Sequence, residues 1–150
     1  MEDKEKMKIG ICADHAGYKL KQRIVETYGD AYEFHDFGTH NEDSMDYPDV
    51  AHPLSVAVQN NKVNWGIAIC GSGNGINMTV NKHDGIRSAL CWRVDLAELA
   101  RQHNNANVLA LPARFISEEL ALEIVNAFAI NDFEGGRHQR RVDKICGFSG

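Results

Sequence analysis

No stretch of this chain approaches the ~20 consecutive apolar residues that a membrane helix needs, so a helical span is excluded. Basic charge is in deficit: 16 Lys and Arg against 21 Asp and Glu give a net charge of −5 and a pI near 5.8. That balance argues against a general nucleic-acid or anionic-membrane binder. Paired cysteines are missing too. Cys12, Cys70, Cys91 and Cys146 lie too far apart for a CxxC zinc or redox motif. Among the histidines, His35, His40, His52 and His83 show no HxH, HExxH or His-carboxylate spacing, so no metal ligand and no cofactor is expected. The segment Met1–Lys8 alternates acids and lysines instead of building a secretory signal, which predicts a cytoplasmic protein with reduced thiols. Low-complexity tracts, internal repeats and Pro/Gly/Ser linkers are absent.

What is present is an ordinary globular composition, 43% hydrophobic and 25% charged. A chain of 150 residues should bury roughly 68–70% of its unfolded surface without disulfide or metal. One domain over 1–150 is expected, with 1–7 a flexible lead-in. Short β-type runs alternate with helical ones. Strands are predicted at Lys8–Ala13, Tyr32–Asp36, Trp65–Cys70, Arg87–Cys91 and Val108–Leu111. Helices are predicted over Tyr18–Tyr28, over Val50–Gln59 (entered near Pro53), from the Gly71–Gly75 turn to about Asn81, and over Val94–His103. A further helix, capped by Ser117, runs to about Ala129, and a basic one spans about 134–145. Trp65–Cys70 (WGIAIC) is apolar on both faces, as in the centre of a parallel sheet covered twice. Five alternations predict a doubly wound, Rossmann-like α/β/α sandwich on a five-stranded parallel sheet.

Ligands in such sheets bind beyond the carboxyl ends of the strands. Two strand ends stand out: Asp14-His15-Ala16-Gly17 and Cys70-Gly71-Ser72-Gly73-Asn74-Gly75. The second suits an anion or oxyanion cradle, since glycines admit close backbone approach and a helix N-terminus follows. A plain tight turn is the alternative. It is no dinucleotide fingerprint, because Ile76 and Met78 stand where the last glycine would be, and no P-loop, because Gly-Lys-Ser/Thr is missing. A cysteine-phosphatase loop would need arginine at position 76. Cys70, between a strand end and a helix start, could be a nucleophile, a general base or a packed thiol. Ser72 could donate to a bound oxygen or cap the helix. His103 could act on a ligand or simply complement a helix C-terminus. Three asparagines beside it, Asn104, Asn105 and Asn107, suit a polyhydroxy ligand and also make turns. Arg137 and Arg141 are i,i+4 on one helix face, a phosphate clamp or a solvated basic face.

In this order, ADHAG, DYPD, ICGSGNGI, NKHDGIR, RQHNNANVLAL and EGGRHQRRV make the chain from Met7 to about Ile145 resemble ribose-5-phosphate isomerase type B. The galactose-6-phosphate isomerase subunits form part of the same group. The resemblance implies a metal-independent aldose–ketose isomerase working through an enediolate in the pentose phosphate pathway. It also implies a homodimer or dimer of dimers with sites at the subunit interface. Carried over, Cys70 is the base that moves a proton between C2 and C1. Gly71, Ser72, Gly73, Asn74 and Gly75 make the anion hole, and His103 assists ring opening. Asp14 and Tyr47 lie near the sugar, and Asn104 binds hydroxyls. His15, Arg137, Arg141 and Arg114 bind phosphate, with His138 a further candidate. The resemblance implies that His103, Asn104 and Arg114 come from the partner subunit. Ile76 occupies the position where some members carry a glutamate base, which fits the cysteine-base subtype. Allose 6-phosphate or galactose 6-phosphate is an alternative substrate. A non-catalytic sugar-phosphate-binding module and a thiol hydrolase are alternative functions.

Overall fold

The computed structural model describes residues 5–147. Five parallel strands, β1 (Lys8–Ala13), β2 (Glu33–Asp36), β3 (Trp65–Cys70), β4 (Ser88–Leu90) and β5 (Val108–Pro112), form one sheet in the order β2-β1-β3-β5-β4. Six helices connect and follow them: α1 (Tyr18–Tyr28), α2 (Pro48–Gln59), α3 (Asn74–Val80), α4 (Val94–Asn104), α5 (Glu118–Ile130) and α6 (Arg137–Cys146). No helix among the described residues is long and apolar enough to cross a membrane.

Strand alternation sends side chains to two separate cores. Ile9, Ile11, Ile67, Ile69, Leu109 and Leu111 pack against Leu20 and Ile24 of α1, Ala97 of α4 and Ile124 and Phe128 of α5. Cys12, Ala68, Cys70 and Val108 face the other way, against Val50, Leu54 and Val58 of α2 and Ile76 and Val80 of α3. All six residues of β3 are buried, as its unbroken apolar run requires. The expected α/β/α sandwich is therefore the observed architecture.

Several boundaries differ from the sequence reading for identifiable reasons. Helix α2 begins at Pro48, not near Pro53; Pro48 supplies a preset φ at the helix start, and Pro53 is accommodated inside. Helix α6 starts at Arg137 because Gly135 and Gly136 sit at φ +70° and +56°, outside helical space. The second strand shortens to Glu33–Asp36 and the fourth to Ser88–Leu90. Ser117 caps α5 as expected, its hydroxyl accepting from Leu120 N at 3.1 Å. Of the lead-in, residues 1–4 lie outside the described residues. Met7 is held in place: its carbonyl accepts from Glu33 N at 2.9 Å and its sulfur from Trp65 Nε1 at 3.2 Å.

One charge is buried completely. Lys21 has no exposed surface, yet its Nζ meets both Asp36 carboxylate oxygens at 2.7 Å and the Thr39 carbonyl at 2.6 Å. A buried ammonium needs such a set of acceptors, because losing its water costs several kcal/mol. The clasp ties α1 to the start of the long loop that carries Tyr47.

Candidate active site

The direction in which strands are added to the sheet reverses between β1 and β3. The connection leaving β1 enters α1 on one face, whereas that leaving β3 enters α3 on the other. The crevice beyond Ala13 and Cys70 is thus the topological switch point, where ligands of open α/β sheets bind. Asp14 and the glycine loop both lie there.

Asp14 is only 6% exposed. Its Oδ1 accepts from Ala16 N at 3.0 Å and Gly17 N at 3.1 Å, which fixes the turn into α1 and orients the carboxylate. His15 Nδ1 accepts from Met45 N at 3.2 Å. That bond requires a bare Nδ1, so in the neutral ring the proton sits on Nε2 and is available to donate to an anion. Tyr47 stands at the start of α2, and its ring lies against Gly75 so closely that any Cβ there would collide with it. Gly73 opens α3 at φ +76°, a left-handed conformation natural only to glycine, and a Cβ would strike Leu90. Ser72 is exposed, its Oγ accepting from Asn74 N at 3.2 Å. Beside the loop lies a cleft of 380 Å³ lined by Ser72, Asn74, Leu90, Trp92, Pro112 and Phe115, among others.

Cys70 ends β3 at 4% exposure, on the α2–α3 side of the sheet, with Tyr47 and Met45 packed against the same cluster. Arg114 belongs to this end of the molecule. Its N–H donates to Gly71 O at 3.0 Å, and its guanidinium lies over Gly71, 3.2 Å from where a Cβ would stand. The expectation that Arg114 reaches the site only from a partner is corrected: β5 ends beside β3, and the turn at 113–115 folds back over the glycine loop of the same chain.

The other thiols differ in kind. Burial pushes the Cys12 thiol far up and the Cys91 thiol up to about 12, so neither is a thiolate at neutral pH. Cys146 is exposed.

A second group of predicted residues gathers elsewhere. Helix α4 runs back to the amino edge of the sheet and ends at Asn104, with Asn105 at φ +47° closing it. His103 therefore sits at the level where the chain re-enters β5. Its ring stacks on that of His138, with centroids 4.1 Å apart and planes 12° from parallel. Burial and the neighbouring His103 and Arg137 lower the His138 pKa. Arg137 and Arg141 are exposed on α6, with no ion pair among the described residues. Glu134 N donates to Gln102 O at 3.0 Å and pins this tail to α4.

Of the neighbouring asparagines, Asn105 accepts from Arg101, and Asn107 bonds Arg87 N and Gly85 O. Both side chains are spent on the fold, while that of Asn104 is exposed. Sequence reasoning missed Glu134, whose Oε1 lies 3.6 Å from His103 Nε2 and 3.7 Å from His138 Nε2. The i,i+4 spacing of Glu134 and His138 was a signal, but His103 joins them only through the packing of α6 on α4.

The predicted residues thus form two half-sites. Asp14, His15, Tyr47, Cys70, the Gly71–Gly75 loop and Arg114 occupy the carboxyl edge; His103, Asn104, Arg137, His138 and Arg141 occupy the amino edge.

Known proteins resemble this chain over almost its whole length. Ribose-5-phosphate isomerase B of Escherichia coli (strain K12) is 43% identical over 139 residues, covering 92% of this chain and 93% of the relative. A crystal structure of a ribose 5-phosphate isomerase from Thermotoga maritima superposes with a TM-score of 0.93 at 44% identity, covering 96% of this chain and all of the other. The Mycoplasma genitalium ribose-5-phosphate isomerase B, solved with bound ribulose-5-phosphate, gives a TM-score of 0.89 at 41% identity, covering 95% of this chain and 96% of the other. The family model described as Ribose/Galactose Isomerase matches residues 9–145, and the chain belongs to that family.

Proposed function

We propose that this protein interconverts D-ribose 5-phosphate and D-ribulose 5-phosphate through an enediolate, as one catalytic unit over the whole chain. The observation that carries the reading is Cys70 beside a glycine loop at the β1/β3 switch point, in a chain alike from end to end to isomerases of this substrate. In this reading His103 takes the proton from the anomeric hydroxyl and returns one to the ring oxygen, which frees the aldehyde. The Cys70 thiolate then removes the C2 proton. Negative charge moves to the carbonyl oxygen, where the N–H groups of the 71–75 loop and the Ser72 hydroxyl stabilise it; each such donor is commonly worth ~10²–10³ in rate. The O2 proton passes to O1, and delivery of the sulfur-bound proton to C1 turns O2 into the carbonyl and completes the ketose. Asp14, Tyr47 and Asn104 hold the hydroxyls. His15, Arg114, Arg137 and Arg141 hold the phosphate, whose binding keeps C2 against the sulfur.

The two half-sites lie at opposite edges of one sheet, which supports a homodimer in which the carboxyl edge of one copy faces the amino edge of the other. Four free cysteines fit a reducing compartment and hence the cytoplasm. The deciding experiment is ketose formation from a panel of pentose and hexose phosphates, run with a chelator present. Turnover of ribose 5-phosphate well above all others is expected. Preference for galactose or allose 6-phosphate would reassign the substrate, and release of free phosphate would replace isomerisation by hydrolysis.

A further inference from the structure

Three donors of metal-ligand type converge at the amino edge without any assigned metal role. His103 Nε2 and His138 Nε2 flank Glu134 Oε1 at 3.6 and 3.7 Å, and all three atoms lie within 4.8 Å of one another. Two imidazoles and one carboxylate are a familiar donor set for Zn²⁺ and for other first-row divalent ions. Ligands bound at ~2.0–2.1 Å in a tetrahedron stand about 3.3 Å apart, so the Glu134 oxygen is already near the spacing that a bound ion sets from each nitrogen. The two rings are now parallel and stacked. They must fan apart by rotation about χ2 to aim both nitrogens at one ion. Glu134 is exposed, and His103 is partly so, which leaves an entry path and a position for water as fourth ligand. His138, 8% exposed, supplies the anchored wall.

We propose that His103, Glu134 and His138 form a Zn²⁺-type site whose occupancy inhibits the enzyme. A metal on Nε2 occupies the electron pair that His103 uses in ring opening, so the bound ion and turnover are mutually exclusive. This inhibitory consequence rests on the proposed role of His103; binding of the ion does not.

The test uses tag-free full-length protein and Zn²⁺ or Co²⁺ alone. Calorimetry should show one Zn²⁺ per chain. The Glu134→Ala variant should bind at least tenfold more weakly while keeping the wild-type melting temperature, and Cys70→Ala should bind as wild type does. Co²⁺ should give a visible d–d band without the near-ultraviolet charge-transfer band of a thiolate. Absence of binding, undiminished binding by Glu134→Ala, or a thiolate band would overturn the site. Isomerase activity on ribose 5-phosphate should fall with Zn²⁺ and return with chelator, and Glu134→Ala should need at least tenfold more Zn²⁺ for the same loss. Zn²⁺ that binds at Glu134 without inhibiting overturns the inhibitory role and counts against His103 as the ring-opening group. A wild-type protein inactive in chelator instead overturns the isomerase reading and leaves the calorimetric result standing.

Discussion

Cys70 and His103 lie at opposite edges of the same sheet. Along the β3–β5 ladder Cys70 pairs with Pro112, and Gly66 pairs with Val108, four residues or about 13 Å away, just beyond the turn that His103 leads into. That separation is what supports the proposal that Cys70 of one copy and His103 of another act on the same sugar.

The first consequence can be measured by complementation. Cys70→Ala and His103→Ala should each be nearly inactive alone. After mixing, unfolding and refolding, half of the dimers should pair one variant with the other, each holding one intact site of two. Recovery of about a quarter of wild-type activity is expected for a two-fold dimer. Recovery near zero would mean that both residues serve the same site from one chain, or that one of them is not needed there.

Cys70→Ala on its own should abolish solvent exchange at C1 and C2 while leaving ribose 5-phosphate binding within a few-fold, because the proposed phosphate contacts lie on other residues. Nuclear magnetic resonance in deuterated water reads the first and calorimetry the second. Normal turnover would remove the sulfur from the chemistry.

Gly75→Ala tests the fit of Tyr47. The added methyl collides with the phenol ring, so the loop or the ring must move. Overpacking of this kind costs ~1–3 kcal/mol, and kcat/KM should fall at least tenfold. Adding Tyr47→Ala should restore the melting temperature of Gly75→Ala but not its activity, a non-additivity expected only of groups in contact. Independent thermal effects would show that the two do not meet.

Alkali should expose the buried thiols. Cys91 is raised from 9.0 to about 12, so above pH 9 the unfolded chain releases a proton that the folded chain keeps. Stability therefore falls as pH rises from about 9 toward 12, by about 1.4 kcal/mol per pH unit for each such thiol. Urea titrations across that range should show a shallower loss in Cys91→Ala than in wild type. An equal slope would mean that Cys91 is not protected in the fold.

Much of this architecture was legible in the sequence, because WGIAIC and VLAL are unbroken apolar runs and only a twice-covered parallel sheet buries both faces. The Cys70–Gly75 segment stands out as a candidate for the same reason, since it is continuous and follows a strand end, whereas Asp14, Tyr47 and Arg114 join it from other connections. What stayed hidden was non-local. Lys21 reads as one more surface lysine on α1, and only the fold brings Asp36 and the Thr39 carbonyl to it. The placement of Arg114 on the partner came from the family resemblance, and residue spacing says nothing about the turn that returns it to Gly71. Glu134 drew no notice because its neighbour His103 lies on another helix.

The sheet is short at both margins. β2 has four residues, including Glu33, His35 and Asp36, and β4 has three. Brief borders, the β2 one also charged, give a stray strand little to zip onto, which is how natural sheets resist edge-to-edge aggregation. That leaves loops and helix ends, rather than exposed backbone, as the surface open to any contact between copies.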